Sequence, residues 1–392
     1  VTFDPYQTDE RRALRHLVAD FTQRDVAPHL ARWEEEGQLP RSLHRAAAQG
    51  GLLGIGFPAD VGGSGGDLID VVVMTEALLE NGASGGVISG LFSHGIALPH
   101  VVDEATRRRE RGDTAGADYL IDAIIGPVLR GEHIIALGVT EPDGGSDVAH
   151  LRTRATQQDD GSWCVTGSKT YITSGVRADT VVAAVRTGAE GAAGISLALL
   201  DPTAPGYATP RPLAKMGWLC SDTAELSFDN VPVGADHLIA PGEGFASLAR
   251  HFVSERISIA ATAYSTAQRA LDLTVQWARD RATFGRPLIT RQVVRHTLVE
   301  MQRQTAVART YTRDIAARHA AGEPVTLEAV YAKKTAVDAC MYVVDQAVQL
   351  HGGMGYMRES EVERHYRDAR VLGIGGGATE VMTDLSARLM GL

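Results

Sequence analysis

The chain has 392 residues, 44% of them hydrophobic and 22% charged, with a formal net charge of -10. That length exceeds what one hydrophobic core usually holds and predicts two or three packed units. The composition is not that of a disordered chain, and the negative charge argues against non-specific nucleic-acid binding, which needs cations against phosphates.

The N-terminal stretch Val1 to Glu10 is polar and acidic, with no apolar signal-peptide core. Leu14, Leu17, Val18 and Phe21 then recur at helical spacing. Arg41 to Gln49 predicts a short helix stopped by Gly50-Gly51. Val61-Gly-Gly-Ser-Gly-Gly66 lacks the strand–turn–helix context of a dinucleotide fingerprint and is expected to be a flexible loop. Further helices are expected over Val71 to Leu79 and around Leu91 to Val102. Thr106 to Gly116, with its basic run Arg107 to Arg111, reads as a solvated, exposed excursion. No run of eighteen apolar residues is present, so no membrane span is expected.

Near Ile134 the period changes. Trp163 and Val165 alternate with polar neighbours, and Thr180 to Val185, Ile195 to Leu200 and Ala224 to Phe228 are short β-rich runs bounded by Gly, Pro and Asp. From Glu243 the pattern is helical again. Ile257, Ala261, Tyr264, Ala267, Leu271, Val275 and Ala278 form one stripe; Val294, Leu298, Met301 and Thr305 begin a second; Leu327, Val330, Val337, Met341, Val344 and Val348 form a third. The expected fold is mainly α with a central β domain: N-terminal helical domain 1–130, middle β domain 131–240 and C-terminal four-helix bundle 241–392. The three cysteines, Cys164, Cys220 and Cys340, offer no metal spacing and no CxxC, which predicts structural thiols in a reducing, cytoplasmic setting. The Arg-over-Lys and Ala bias hints at a GC-rich bacterial source.

Four segments in register carry a resemblance: Leu137-Gly-Val-Thr-Glu-Pro-Asp-Gly-Gly-Ser-Asp147; Thr166-Gly-Ser-Lys-Thr-Tyr-Ile-Thr-Ser-Gly175; Arg281-Ala-Thr-Phe-Gly285; and Gln349-Leu-His-Gly-Gly-Met-Gly-Tyr356 with Tyr366-Arg-Asp-Ala-Arg370. Any one is weak and the four together are specific. They resemble the acyl-CoA dehydrogenase family over nearly the whole chain. The resemblance implies bound FAD, an acyl-CoA substrate, an electron-transfer flavoprotein as electron acceptor, and a homotetramer or homodimer. It implies flavin contacts at Leu137, Val139, Thr140, Ser146, Tyr171, Thr173 and Glu380, with Ser146 also meeting the CoA side of the substrate. Arg281, Phe284, Gln292, Gln349 and Gly353 would reach the FAD of a neighbouring subunit, and His351 would pack nearby. Tyr171 stands where the family usually has Trp.

The residue chemistry agrees. Pro142 and Gly144-Gly145 make an irregular backbone whose N–H groups can approach a ligand. Tyr171 and Thr173 share one face of a strand, an aromatic to stack and a hydroxyl to hydrogen-bond. Arg281 suits a phosphate.

The reaction implied, α-proton abstraction with β-hydride transfer to flavin N5, needs a desolvated carboxylate as base. Many members carry that Glu in the loop before the last helix. Here the loop is Ile374-Gly-Gly-Gly-Ala378, and Gly376 stands at the Glu position. Isovaleryl and one long-chain branch place the base on the first long C-terminal helix, in a Glu-Arg pair. Glu255-Arg256 matches it, which makes Glu255 the expected base and Arg256 an orderer of the substrate pocket. The Gly376 backbone N–H is expected to stabilise the developing enolate oxygen. No metal site is expected; His94, His351 and His365 have no ligand partners at suitable spacing. Two other readings stay open: a flavin oxidase or monooxygenase-like member acting on a non-CoA substrate, and a catalytically inert scaffold.

Overall fold

A computed structural model describes residues 4–392; Val1 to Phe3, part of the acidic N-terminal stretch, lie outside the described residues. Eight helices come first: α1 Asp9–Phe21, α2 Leu30–Glu36, α3 Arg41–Gln49, α4 Leu68–Glu80, α5 Gly85–Leu91, α6 His94–Glu110, α7 Thr114–Leu120 and α8 Gly126–Leu129. Eight strands follow: β1 Ile135–Gly138, β2 Arg154–Gln157, β3 Trp163–Thr173, β4 Thr180–Arg186, β5 Ile195–Leu200, β6 Tyr207–Pro212, β7 Thr223–Val233 and β8 Leu238–Ile239. The chain ends in α9 Gly244–Asp280, a small hairpin β9 Ala282–Thr283 and β10 Arg286–Pro287, then α10 Gln292–Ala320, α11 Thr326–His351, α12 Glu361–Ala369 and α13 Thr379–Leu389.

The sheet runs β6-β7-β3-β2-β4-β5-β8, with β1 pairing parallel to β4. β4 reads as an unbroken apolar run because both its faces are covered. Val182 and Ala184 pack with Leu98, Val101 and Ile125 of the N-terminal helices, while Val181, Ala183 and Val185 pack with Leu226 and Phe228 inside the β layer. α9 is the axis of the C-terminal helices. Its apolar stripe widens until Ala260 through Ala267 are all buried, because α4, α10, α11 and α12 surround it. Glu76 of α4 crosses this core: it accepts from Tyr264 Oη at 2.7 Å and pairs with Arg313 at 2.6 Å and Arg15 at 2.7 Å.

Three expectations are corrected. Leu91 to Val102 is two helices, broken at Phe92-Ser93, and α6 continues through Thr106 to Glu110. Arg108 in the supposed excursion is 2% exposed; it pairs with buried Glu104 at 3.1 Å and donates to the Asp236 carbonyl at 2.6 Å. The basic run is therefore partly a fastener between α6 and the β layer. The glycine cluster at 61–66 is a tight, hydrogen-bonded turn, with Ser64 N–H on Gly54 O at 2.8 Å and Gly65 N–H on Phe57 O at 2.9 Å. A Cβ on Gly63 would lie 2.1 Å from the Phe57 carbonyl oxygen, so glycine is required by close approach. Among the described residues one stretch, Gly85–Glu110, is long and apolar enough to cross a bilayer, but it lies mostly inside the core.

Candidate active site

Glu255 sits in the fourth turn of α9, flanked by buried Val253, Arg256 and Ile257. The glycine loop 374–378, between α12 and α13, lies against the same helix face. A Cβ on Gly376 would meet Ile259 Cδ1 at 2.4 Å, Glu255 Oε1 at 3.3 Å and Lys333 Nζ at 3.5 Å. The loop position and the helix carboxylate expected to substitute for one another are thus immediate neighbours. Gly376 has φ +63°, a conformation that favours glycine. Among the described residues its N–H donates no hydrogen bond, and nothing donates to the Glu255 carboxylate. Burial pushes the Glu255 carboxyl above its ordinary range, and the charges of Lys333 and Arg256 only partly offset this. Arg256 is itself buried. Its guanidinium lies 5.8 Å over the Phe252 ring, its Nε has no partner among the described residues, and burial draws its pKa down.

In the β layer the first two motifs meet through a buried pair. Lys169 Nζ donates to Glu141 Oε1 at 2.8 Å and to the Val139 carbonyl at 3.1 Å. Glu141 also accepts from the backbone N–H groups of Arg152 at 2.6 Å and Thr153 at 2.8 Å. Thr170 N–H donates to the Thr140 carbonyl at 2.9 Å. These bonds fix the segment from Leu137 to Thr140, the end of β1, beside β3. Ser146 projects into solvent from the turn beyond it.

Tyr171 and Thr173 both lie on the open side of β3, with Ile172 between them in the core. The reason is more than strand alternation. A β-bulge shifts the β3–β7 register between Lys169 and Ile172, and Tyr171 takes φ +60°. The bulge leaves the tyrosine ring 70% exposed. Thr173 pairs with Thr223, and the segment before β7 is tied to α12: Asp368, in the fourth motif, accepts from Trp218 N–H at 2.6 Å and Gly86 N–H at 3.3 Å. Through Asp368 the helix leading to the glycine loop is pinned to both the N-terminal helices and the β layer. Glu380 is exposed in the first turn of α13, just after that loop.

The remaining expected residues gather elsewhere. Arg281 follows α9 and lies 5.9 Å over the Trp277 ring, which stacks on His351 at 5.0 Å. Phe284-Gly285 turns the β9–β10 hairpin with φ +51° and +75°, the two-residue geometry that matches strand twist. Phe284 is 95% exposed, with Arg291 5.4 Å over its ring. Gln292 opens α10, and Gln349 and Gly353 flank the end of α11, all three exposed. Along α9 this cluster stands about 39 Å from Glu255 at 1.5 Å per residue.

The N-terminal, middle and C-terminal domain models of acyl-CoA dehydrogenases match residues 8–109, 136–231 and 242–391. A probable acyl-CoA dehydrogenase of Bacillus subtilis, YngJ, is 32% identical over 97% of this chain and 98% of its own. The chain belongs to the acyl-CoA dehydrogenase family. The mitochondrial long-chain specific acyl-CoA dehydrogenase of Sus scrofa is 33% identical over 97% of this chain and 86% of its own. Among solved structures, a probable acyl-CoA dehydrogenase from Mycobacterium abscessus superposes with TM-score 0.94 at 55% identity, covering 98% of this chain and 100% of that one. The butyryl-CoA dehydrogenase of Megasphaera elsdenii superposes with TM-score 0.88 at 30% identity, covering all of both chains.

The N-terminal helical, middle β and C-terminal helical parts of the family fold are all present, and this acyl-CoA dehydrogenase is an FAD-dependent oxidoreductase. Its residues fit a flat cofactor. Two exposed aromatics, Tyr171 and Phe284, held out at positive φ by the β3 bulge and the β9–β10 turn, offer faces on which a flat ring can stack. One residue in the site, Lys333, escaped the sequence reading. It is 2% exposed and donates to the carbonyls of Gly375 and Gly377, the latter at 2.6 Å. Its signal was present: a lysine three residues after Val330 and four before Val337 falls on the third apolar stripe.

Proposed function

We propose that this acyl-CoA dehydrogenase oxidises an acyl-CoA thioester to the trans-2-enoyl-CoA, with Glu255 as the base. The observation that carries this is a carboxylate without hydrogen-bond donors among the described residues, raised in pKa by burial, facing a glycine loop. A carboxylate so placed accepts a proton more readily than a solvated one. Glu255 takes the α-proton, the Cα–H electron pair forms the double bond, and the β-hydrogen leaves with its own pair. Bound FAD supplies the acceptor that takes this β-hydrogen as hydride. The Gly376 N–H is free to donate to the thioester oxygen as it gains negative charge. Arg256, a buried cation whose Nε has no partner among the described residues, orders the pocket wall beside the base.

Leu137, Val139, Thr140, Ser146, Tyr171, Thr173 and Glu380 would hold the flavin side, and Ser146 also the CoA side. Arg281, Phe284, Gln292, Gln349 and Gly353 would hold the FAD of another copy. Their distance from Glu255 supports this, because one cofactor beside Glu255 does not reach both ends of α9. The working unit is then a homo-oligomer, with an electron-transfer flavoprotein as partner. Chain length is not selected by similarity: the named relatives include long-chain specific and short-chain specific enzymes at 33% and 31% identity.

The test is anaerobic titration of the flavoprotein with short, long and branched acyl-CoAs. Wild type should bleach with one class, and Glu255→Gln should keep its FAD but bleach about 10²–10⁴-fold more slowly. Wild-type rates in Glu255→Gln would remove it as the base. Peroxide release in air from a protein that no acyl-CoA bleaches would point to a flavin oxidase.

A further inference from the structure

Lys333 is an anomaly in α11. Its neighbours on the buried face are Ala329, Val330, Ala332, Ala336 and Val337, and an ammonium there is expensive unless engaged. No carboxylate pairs with it among the described residues. Its bonds go to two backbone carbonyls, those of Gly375 and Gly377, which flank the glycine beside the base. The ammonium and the Glu255 carboxylate lie within 3.5 Å of the same point, the place of a Gly376 Cβ.

We propose that Lys333 is a positioning residue for the base on the facing helix: its ammonium fastens the glycine loop beside Glu255 and supplies the positive charge that faces this carboxylate from outside its own helix. The inference rests on Glu255 being the base.

The surroundings leave this role to Lys333. On α9, Arg256 is the other cation acting on Glu255, while Arg250 and His251 are both engaged by Asp103 of α6. From α4, Glu76 is committed to Tyr264, Arg15 and Arg313. Loop 374–378 has no titratable side chain, and Arg370, ahead of it, lies near Gly373. Burial draws the Lys333 ammonium down to about 8, with Glu255 opposing and Arg256 adding to the shift, so it is still charged at neutral pH. A cation near a carboxylate favours its ionised form, so loss of the charge raises the carboxyl pKa. The bond to the Gly375 carbonyl fixes the peptide plane that carries the Gly376 N–H, and with it the direction of that N–H, while the bond to the Gly377 carbonyl anchors the following turn of the loop.

The experiment follows the Glu255 carboxyl directly, by infrared pH titration of the FAD-loaded protein without substrate, using Glu255→Gln to isolate its band. Lys333→Gln removes the charge but keeps an amide donor; Lys333→Met removes both; Lys333→Arg keeps the charge. The midpoint should rise by about one pH unit or more in the Gln and Met variants and stay near wild type in Arg. The acid limb of the flavin-reduction rate should move up with it. Amide exchange across 374–378 should quicken in Met more than in Gln. An unmoved midpoint in folded Lys333→Gln overturns the proposal even if Glu255→Gln is inactive. Wild-type bleaching by Glu255→Gln instead overturns the base assignment, whatever the infrared midpoints show.

Discussion

Glu141 and Lys169 meet at 2.8 Å in the β layer; Glu255 and Lys333 face one loop in the helical part and form no ion pair. The residue types are the same and the consequences are opposite. Glu141 accepts three hydrogen bonds, two from backbone and one from Lys169. Burial alone would raise its pKa, yet Lys169 and these donors hold it below the ordinary range. Glu255 has no such donors among the described residues, and its pKa goes up. Three donors make the Glu141 carboxylate a fastener; withholding donors leaves a carboxylate readier to take a proton, which suits the role proposed for Glu255. The cation's bonding decides which, because Lys333 donates to carbonyls where Lys169 donates to its acid.

The contrast breaks most sharply in stability. Glu141→Ala leaves the Lys169 ammonium buried and unpaired, and should cost about 3–5 kcal/mol in denaturant unfolding. Glu255→Gln should leave the unfolding midpoint unchanged or higher at pH 7. The signs follow from linkage. Glu141, depressed in the fold, contributes stability above its unfolded value that is lost as pH falls through the folded one. Glu255, raised in the fold, destabilises above its folded value, so any gain from Glu255→Gln should vanish below the ordinary 4.5. Equal losses from both substitutions would erase the distinction.

The next effect is smaller and concerns exchange of the base between helix and loop. Transferring the carboxylate by Glu255→Gln with Gly376→Glu meets an obstacle: the new Cβ would sit 2.4 Å from Ile259 Cδ1, at φ +63°. The double variant should stay inactive. Adding Ile259→Val removes the colliding methyl and should raise flavin reduction about 10-fold above the Glu255→Gln background. Recovery without the Ile259 change would mean that the loop moves freely, against the Lys333 tether.

Much of the fold was legible because its signals are local. β5 was bounded at Ile195 and Leu200 by turn residues, α3 stopped at Gly50-Gly51, and the α9 stripe ran through Ile257, Tyr264 and Leu271 as periodicity required. What escaped depends on distant partners. Arg108 is buried because the Asp236 carbonyl, far along the chain, meets it. Lys333 is buried because carbonyls at 375 and 377 curl back onto α11. A charged residue on an apolar stripe announces burial but not its partner. Glu141 and Lys169 stand in two separate motifs, and nothing in either motif reveals that they pair. The place of Glu255 was legible through its Arg neighbour and the loop glycine; its lack of donors was not.

The smallest effect tests the exposed aromatic against the buried pair beneath it. Lys169 and Glu141 fix the start of the β3 bulge, and the bulge leaves Tyr171 70% exposed on the open side of the strand. If that ring stacks on the flavin, Tyr171→Trp enlarges the contact without disturbing the pair, since the ring is mostly exposed. The gain should be about 1 kcal/mol, roughly fivefold in FAD dissociation constant, read by the recovery of free-flavin fluorescence on dilution. Tyr171→Ala should loosen FAD by a similar amount in the other direction. The unfolding midpoint of the apoprotein should move in neither variant, which separates a contact with cofactor from a contact with fold. Tighter apoprotein with unchanged FAD retention would assign Tyr171 to the strand rather than to the cofactor.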